Sequence, residues 1–143
     1  DDAARAALCR ADAARGAELA DNLEGALPAI ALTEHTALTT AYGNDRSPLL
    51  AFAQQVWGYG RAGDLFLAIS TSGNAENLLY AAAAAHAKGM RVALLSGKDG
   101  GKLAAVADLA VVVPEDRTFA IQELHLPIYH ALCLSAEAAF FEE

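Results

Sequence analysis

Four short apolar runs constrain the fold of this chain more than any other feature of its sequence. Each run consists mainly of Val, Ile, Leu and Ala and does not alternate polar with apolar residues, which is typical of parallel strands covered by helices on both faces. The runs occupy residues 29–33, 64–70, 91–96 and 109–113. Parallel strands need crossover connections, so we expect helices between them.

Helical patterns fill the intervals between the apolar runs. They cover residues 48–57, 74–88, 102–107 and 119–140, and a helix over about residues 1–23, interrupted at Gly16, precedes them. Pro127 predicts a kink in the last helix, or a helix that begins near it. The alternation of strand and helix predicts an α/β fold, a three-layer α/β/α sandwich with a parallel sheet and helices on both faces.

Length and charge limit the class of protein and its partners. A chain of 143 residues suits a single domain over residues 1–143. The net charge of -8 argues against nucleic acid or an anionic membrane as a partner. No apolar stretch could span a membrane and no signal peptide is evident, so we expect a cytoplasmic protein. Cys9 and Cys133 indicate neither a disulfide framework nor a thiolate zinc site.

Two glycine-rich segments resemble nucleotide-binding motifs but do not meet their requirements. Residues 58–63 match GxGxxG, yet they precede a strand instead of following one. Residues 96–102 follow a strand but lack the spacing of a Walker loop. We therefore expect no nucleotide cofactor, and we interpret residues 96–102 as a turn that borders the ligand crevice.

The segment Ser70-Thr71-Ser72-Gly73-Asn74 lies where open α/β sheets bind ligands. It ends one predicted strand and opens the next helix, so its hydroxyl groups and the unpaired backbone N–H groups of the helix favour a phosphate site. The alternative is that Ser72 or Asn74 only caps the helix. The spacing alone leaves both interpretations open.

Polar side chains also interrupt the last helical pattern. Gln122 and His130 stand about 80° apart around a helix and about two turns along it, so they can converge on one ligand if Pro127 bends the helix. A histidine on an apolar helix is more often a core residue, and the pattern does not decide the roles of His35 and His125.

Several motifs together resemble the sugar isomerase (SIS) domain of phosphoheptose isomerases. They are residues 42–45 (Tyr-Gly-Asn-Asp), 63–64 (Gly-Asp), 68–74, 88–90, 97–102 and 121–125, and they recur in the order of that family from about Leu27 to Phe140. The resemblance implies an aldose-ketose isomerase that interconverts sedoheptulose 7-phosphate and a heptose 7-phosphate in carbohydrate metabolism. It also implies a flavodoxin-like sandwich of the SIS type, a homotetramer and, in several members, a bound zinc.

The resemblance also assigns roles to single residues. Ser70, Thr71 and Ser72, with Gly73 and Asn74, would bind the substrate phosphate, and Asp45 would border the sugar. Glu18 matches the catalytic base of the family, His130 its acid/base histidine, and Gln122 a glutamine near the sugar and the metal. The metal set would be Glu18, Gln122 and His130.

The chain departs from the family pattern in ways that favour other functions. A strand and a glycine-rich loop are absent near Arg10 and Ala11, where we hypothesise that the sequence omits a segment. Ala14, Ala75 and Phe119 replace a metal-binding histidine, a loop serine and an aspartate of the family. The alternative is a non-catalytic, phosphosugar-binding SIS protein, either an adaptor of the replication initiator-associating type or a regulator.

Overall fold

A computed structural model describes residues 2–141 and divides the chain into two compact units, the first ending at Ile30 and the second beginning at Ala31. The first unit contains two helices that pack against each other, α1 (Asp2–Ala11) and α2 (Gly16–Asn22). The helix predicted over about residues 1–23, with an interruption at Gly16, is two helices, and the second begins at Gly16. Asp12 forms the turn between the two helices, because its carboxylate accepts the N–H groups of Ala14 and Arg15.

The second unit contains a three-stranded parallel sheet in the order β1-β2-β3. Its strands are β1 (Leu65–Ser70), β2 (Arg91–Ser96) and β3 (Leu109–Val112). Its helices are α3 (Thr36–Asp45), α4 (Ala51–Tyr59), α5 (Glu76–Ala87), α6 (Gly101–Val106) and α7 (Thr118–Phe141), with 3-10 turns at Leu32–Glu34 and Pro48–Leu50. The predicted α/β class and parallel sheet are confirmed.

The core lies between the sheet and α5. One face of the sheet packs on three alanines of α5 and forms a buried cluster with them. The sheet contributes Phe66, Ala68, Val92 and Leu94, and the helix contributes Ala81, Ala82 and Ala85. Ala93 and Leu95 point to the opposite face of β2 and are buried as well, and α7 contacts β2. The central strand is therefore covered on both faces.

Two predicted elements differ in the structure. Residues 29–33 form no strand, because they pair with no other strand and a 3-10 turn begins at Leu32; the Leu32 carbonyl accepts the side-chain amide of Gln55 instead. Helix α7 continues through Pro127 without a boundary, so the helix does not begin there. Helix α3, for which the sequence shows no clear pattern, contains three threonines, which are weak helix formers.

None of the helices formed by residues 2–141 combines the length and the apolar character that a membrane span requires.

Candidate functional site

The loop between β1 and α5 is open at the carboxyl end of the sheet. Helix α5 begins at Glu76, two residues later than predicted, and its N-cap residue Ala75 supplies no side-chain cap. Asn74 instead folds back on Ser72, with its N–H 3.3 Å from Ser72 Oγ and its side-chain amide 2.8 Å from the Ser72 carbonyl oxygen. Neither Ser72 nor Asn74 therefore caps α5, and the capping interpretation is wrong.

Backbone donors in this loop remain available to a ligand. Within the described part of the chain, the N–H groups of Ser72, Ala75, Glu76 and Asn77 donate to no acceptor. The last two belong to the first turn of α5, where the helix dipole adds about half a positive charge. Unpaired N–H groups and partly buried hydroxyl groups at a helix N-terminus are suited to an anion such as phosphate.

The glycine-rich segment after β2 lies against this loop, as expected. The Leu103 N–H donates to the Gly73 carbonyl at 2.9 Å, and the Lys102 N–H donates to Asn74 Oδ1 at 3.1 Å. Gly73 has φ +63°, and a Cβ there would overlap the Gly100 carbonyl. Lys102 Nζ lies 3.1 Å from Glu76 Oε1. The two loops therefore form one structure at the carboxyl edge of the sheet.

Helix α7 carries the predicted polar residues on its exposed side. Gln122 and His130 are both exposed, and His130 makes an edge-on ring contact with Tyr129, with the centroids 5.1 Å apart. Phe119 is also exposed and lies under the Arg117 guanidinium. Among the described residues, no hydrogen bond joins Gln122 or His130 to the β1–α5 loop.

The two remaining candidates lie on other helices. Asp45 is the last residue of α3 and is exposed. Glu18 lies in the first turn of α2, also exposed, and belongs to the first unit, whereas Gln122 and His130 belong to the second. The structure therefore brings together the two loops but describes the remaining site residues on separate elements.

The described residues do not form a complete metal site. No group of three or more His, Cys, Asp and Glu between residues 2 and 141 could hold a metal ion. The set expected from the resemblance, Glu18, Gln122 and His130, contains one amide, and Gln is a poor zinc ligand. These residues do not fit a complete zinc site by themselves.

Sequence reasoning left His125 undecided, and the structure gives it a position. It is buried, and its Nε2 lies 3.1 Å from the carbonyl oxygen of Ser96, the last residue of β2. The sequence offered only a partial signal, because the apolar run over residues 91–96 ends in a polar residue that needs a partner when it is buried, but the run does not indicate which residue that partner is.

Comparisons with known proteins agree with this fold. The sequence profile of the SIS domain matches residues 6–97. The chain is 45% identical over 115 residues to a phosphoheptose isomerase of Sulfurimonas denitrificans and 48% identical over 115 residues to one of Dechloromonas aromatica. These matches cover 80% and 78% of this chain and 59% of each relative, so the chain spans about three fifths of the length of these curated relatives.

Two solved structures of phosphoheptose isomerases also resemble this chain in fold and sequence. The structure of a phosphoheptose isomerase from Neisseria gonorrhoeae superposes with a TM-score of 0.76 at 45% identity, covering 78% of this chain and 62% of that chain. A phosphoheptose isomerase from Francisella tularensis gives a TM-score of 0.74 at 42% identity, covering 77% and 59%. Since the profile covers more than half of the sequence and the parallel sheet agrees with it, the chain belongs to the SIS domain family.

Proposed function

We propose that this chain is a phosphosugar isomerase that converts sedoheptulose 7-phosphate into a heptose 7-phosphate. The observation that carries the proposal is the open loop between β1 and α5, where backbone donors without acceptors lie beside the hydroxyl groups of Thr71 and Ser72. The relatives of 45% and 48% identity, named phosphoheptose isomerases, support the substrate class.

The loop supplies the phosphate site of the proposed enzyme. The proposed phosphate site is surrounded by Ser70, Thr71, Ser72, Gly73 and Asn74. Gly73 adopts the left-handed conformation that turns the loop. An anion is compatible with the net charge of -8, because the field of one helix N-terminus acts locally and is screened within about 10 Å. Binding the phosphate would fix the distal end of the sugar and so orient its carbonyl end.

Proton transfer completes the proposed reaction. A base removes the proton from the carbon next to the carbonyl group while the acid/base protonates the carbonyl oxygen, which gives an enediol. The proton is then returned to the former carbonyl carbon, and the hydroxyl group on the adjacent carbon loses its proton to become the new carbonyl group. We assign the base to Glu18 and the acid/base to His130, with Gln122 and Asp45 contacting the sugar. Histidine suits this role because it changes protonation near neutral pH, and each such group contributes about 100- to 10,000-fold.

Tetramer formation is a further part of the proposal, whereas zinc takes no part in the proposed proton transfer. The resemblance implies zinc at Glu18, Gln122 and His130, but one carboxylate, one amide and one imidazole do not make a complete zinc site. Elemental analysis of the purified protein tests this point. The resemblance also implies a homotetramer, which the exposed apolar residues on β1 and α7 support, including Leu65, Ile69 and Leu134.

The proposal is tested by incubating the protein with sedoheptulose 7-phosphate and following the aldose product by NMR. We expect turnover by the wild type and a loss of at least about 100-fold in His130→Ala. His86→Ala is the matched control, because His86 is an exposed histidine on α5 outside the proposed site, and it should retain the wild-type rate.

Two outcomes would contradict this assignment. If the wild type shows no turnover while the phosphosugar still raises its melting temperature, the chain is a binding protein of the adaptor or regulator class. Full activity in His130→Ala would show that the proton is moved by another residue.

A further inference from the structure

We propose that His125 is a positioning residue that ties α7 to the phosphate-binding loop through Ser96. The inference rests on the proposed function, because it concerns how the two parts of that site are held together. His125 does not touch the loop itself, and it acts through two successive hydrogen bonds, the first buried and the second partly buried.

The first link joins α7 to the end of β2. His125 is 2% exposed on a helix whose other polar residues face solvent. Its Nε2 lies 3.1 Å from the Ser96 carbonyl oxygen. A carbonyl oxygen only accepts hydrogen bonds, so the Nε2–H of the imidazole donates.

The second link joins β2 to the loop. Ser96 is fully buried and stands opposite Ser70 in the parallel ladder. Its hydroxyl group donates to the Ser70 carbonyl at 2.6 Å, and the next residue, Gly97, donates its N–H to the Thr71 carbonyl at 3.2 Å. Ser70 and Thr71 begin the loop that we assign to phosphate.

Close packing holds the same junction. A Cβ on Gly97 would overlap the side chain of Ile121, which is fully buried one turn before His125 on α7. Helix α7 therefore rests on the end of β2 at Ile121 and His125. Gln122 lies between these two anchors and His130 follows them, so the anchors determine where both polar residues are presented.

A shift of α7 relative to the loop would move His130, the proposed acid/base, and Gln122 away from the bound phosphate. Displacements of about 1 Å in a catalytic site can cost about 100-fold in rate. The hydrogen-bonded chain from His125 through Ser96 to Ser70 is thus the contact that relates Gln122 and His130 to the phosphate end of the substrate.

The test compares two substitutions of similar size. His125→Leu removes the donor, whereas His125→Gln keeps an amide N–H with similar reach. With sedoheptulose 7-phosphate as substrate, we expect kcat to fall about 10- to 100-fold in His125→Leu and most of it to return in His125→Gln. Glu137→Gln changes an exposed polar residue of the same helix away from the junction and should leave kcat and KM unchanged.

A second readout needs neither substrate nor activity. Amide hydrogen exchange at Gly97, whose N–H bonds to Thr71, should accelerate about five- to tenfold more in His125→Leu than exchange at Met90, whose N–H bonds to Ala85 away from the junction. If the wild type does not isomerise the sugar but this difference appears, the coupling stands and the proposed function fails.

If His125 only stabilised the fold, kcat and amide hydrogen exchange would respond differently to its substitution. If His125→Leu lowers the melting temperature but changes neither kcat nor the ratio of exchange at Gly97 and Met90, the proposal is overturned. Should His125→Leu fail to fold, Ser96→Ala decides, since it removes only the hydroxyl link to Ser70. Wild-type kcat and wild-type exchange at Gly97 in that variant would also overturn the proposal.

Discussion

Gly73 is the residue on which the conformation of the phosphate loop most depends. Its φ of +63° belongs to the left-handed region, which costs an L residue about 1–2 kcal/mol. Any side chain there would also overlap the backbone of Gly100. Only glycine adopts this conformation without strain and leaves room for the backbone of Gly100. Gly73 therefore allows the β1–α5 loop to lie against the glycine-rich segment after β2.

Substitution of this glycine should destabilise the protein. We expect Gly73→Ala to lower the free energy of unfolding by about 2–4 kcal/mol, because strain adds to the overlap with rigid backbone. Urea unfolding measures the change. Gly43→Ala is the control: nothing lies within 4 Å of a Cβ at Gly43, which is inside α3, so that variant should gain about 0.5–1 kcal/mol. Equal effects would refute the role of the loop contact.

Hydrogen bonds stabilise the negative charge of the Asp108 carboxylate. The Val92 N–H donates to its carboxylate at 2.8 Å, and Arg91 and His86 also bond to it. These contacts lower the pKa of Asp108 from 3.8 to about 2. The carboxylate therefore stabilises the fold fully above about pH 4, and this contribution is lost as the pH falls through 2.

The lowered pKa of Asp108 predicts how the stability of an Asp108 variant depends on pH. Asp108→Asn should be less stable than the wild type at pH 7, and the difference should shrink as the pH is lowered from 4 to 2. Thermal unfolding across that range provides the measurement. Glu137→Gln removes a carboxylate from an exposed site on α7 and should change stability by less than about 0.5 kcal/mol. A difference for Asp108→Asn that is constant with pH would rule out the ionised group as its cause.

At the scale of elements, α5 packs on the sheet through small side chains. Ala81, Ala82 and Ala85 are at most 1% exposed and lie in the cluster with Phe66 and Leu94. Small residues allow the helix to approach the strands closely. Because protein interiors are close-packed, this face has no room for longer side chains.

Enlarging one residue on each side of α5 tests this packing. Ala85→Leu should lower the free energy of unfolding by about 1–3 kcal/mol, because the added atoms must displace the core. Ala83→Leu, on the exposed side of the same helix, should stay within about 0.5 kcal/mol of the wild type. Denaturant midpoints give both values, and an unchanged midpoint for Ala85→Leu would mean that the core is loosely packed.

At the scale of the molecule, many large apolar side chains are exposed. Leu65, Leu67 and Ile69 share one face of β1, and Leu132 and Leu134 lie on the second half of α7. Apolar patches of this kind often mark association surfaces. This agrees with the proposal of a homotetramer, and the chain would bury these residues against other copies of itself.

Light scattering tests the association. We expect the wild type to have about four times the mass of the 14.9 kDa chain. Leu134→Glu should shift the protein to smaller species, because Leu134 is 66% exposed and a charge at an apolar contact is costly to bury. Glu137→Gln on the same helix should keep the wild-type mass. A monomeric wild type would refute the proposal.

The sequence by itself determined the β-strands that have partners. Residues 91–96 were predicted as a strand and form β2 with the same bounds, and β1 and β3 differ by one residue from the prediction. Continuous apolar runs identify such strands because a strand that is buried on both faces has apolar side chains on both. The position of Ser70–Asn74 at the end of β1 was also readable, since the carboxyl ends of parallel strands lie at one edge.

Only the tertiary structure decided which apolar run lacks a strand partner and which polar groups meet. Residues 29–33 have the composition of a strand, but a strand forms only where a neighbour supplies hydrogen bonds, and Gln55 takes the carbonyl of Leu32 instead. The contact of His125 with Ser96 joins residues 29 positions apart. Local sequence patterns cannot specify such contacts, because they depend on how α7 packs against β2.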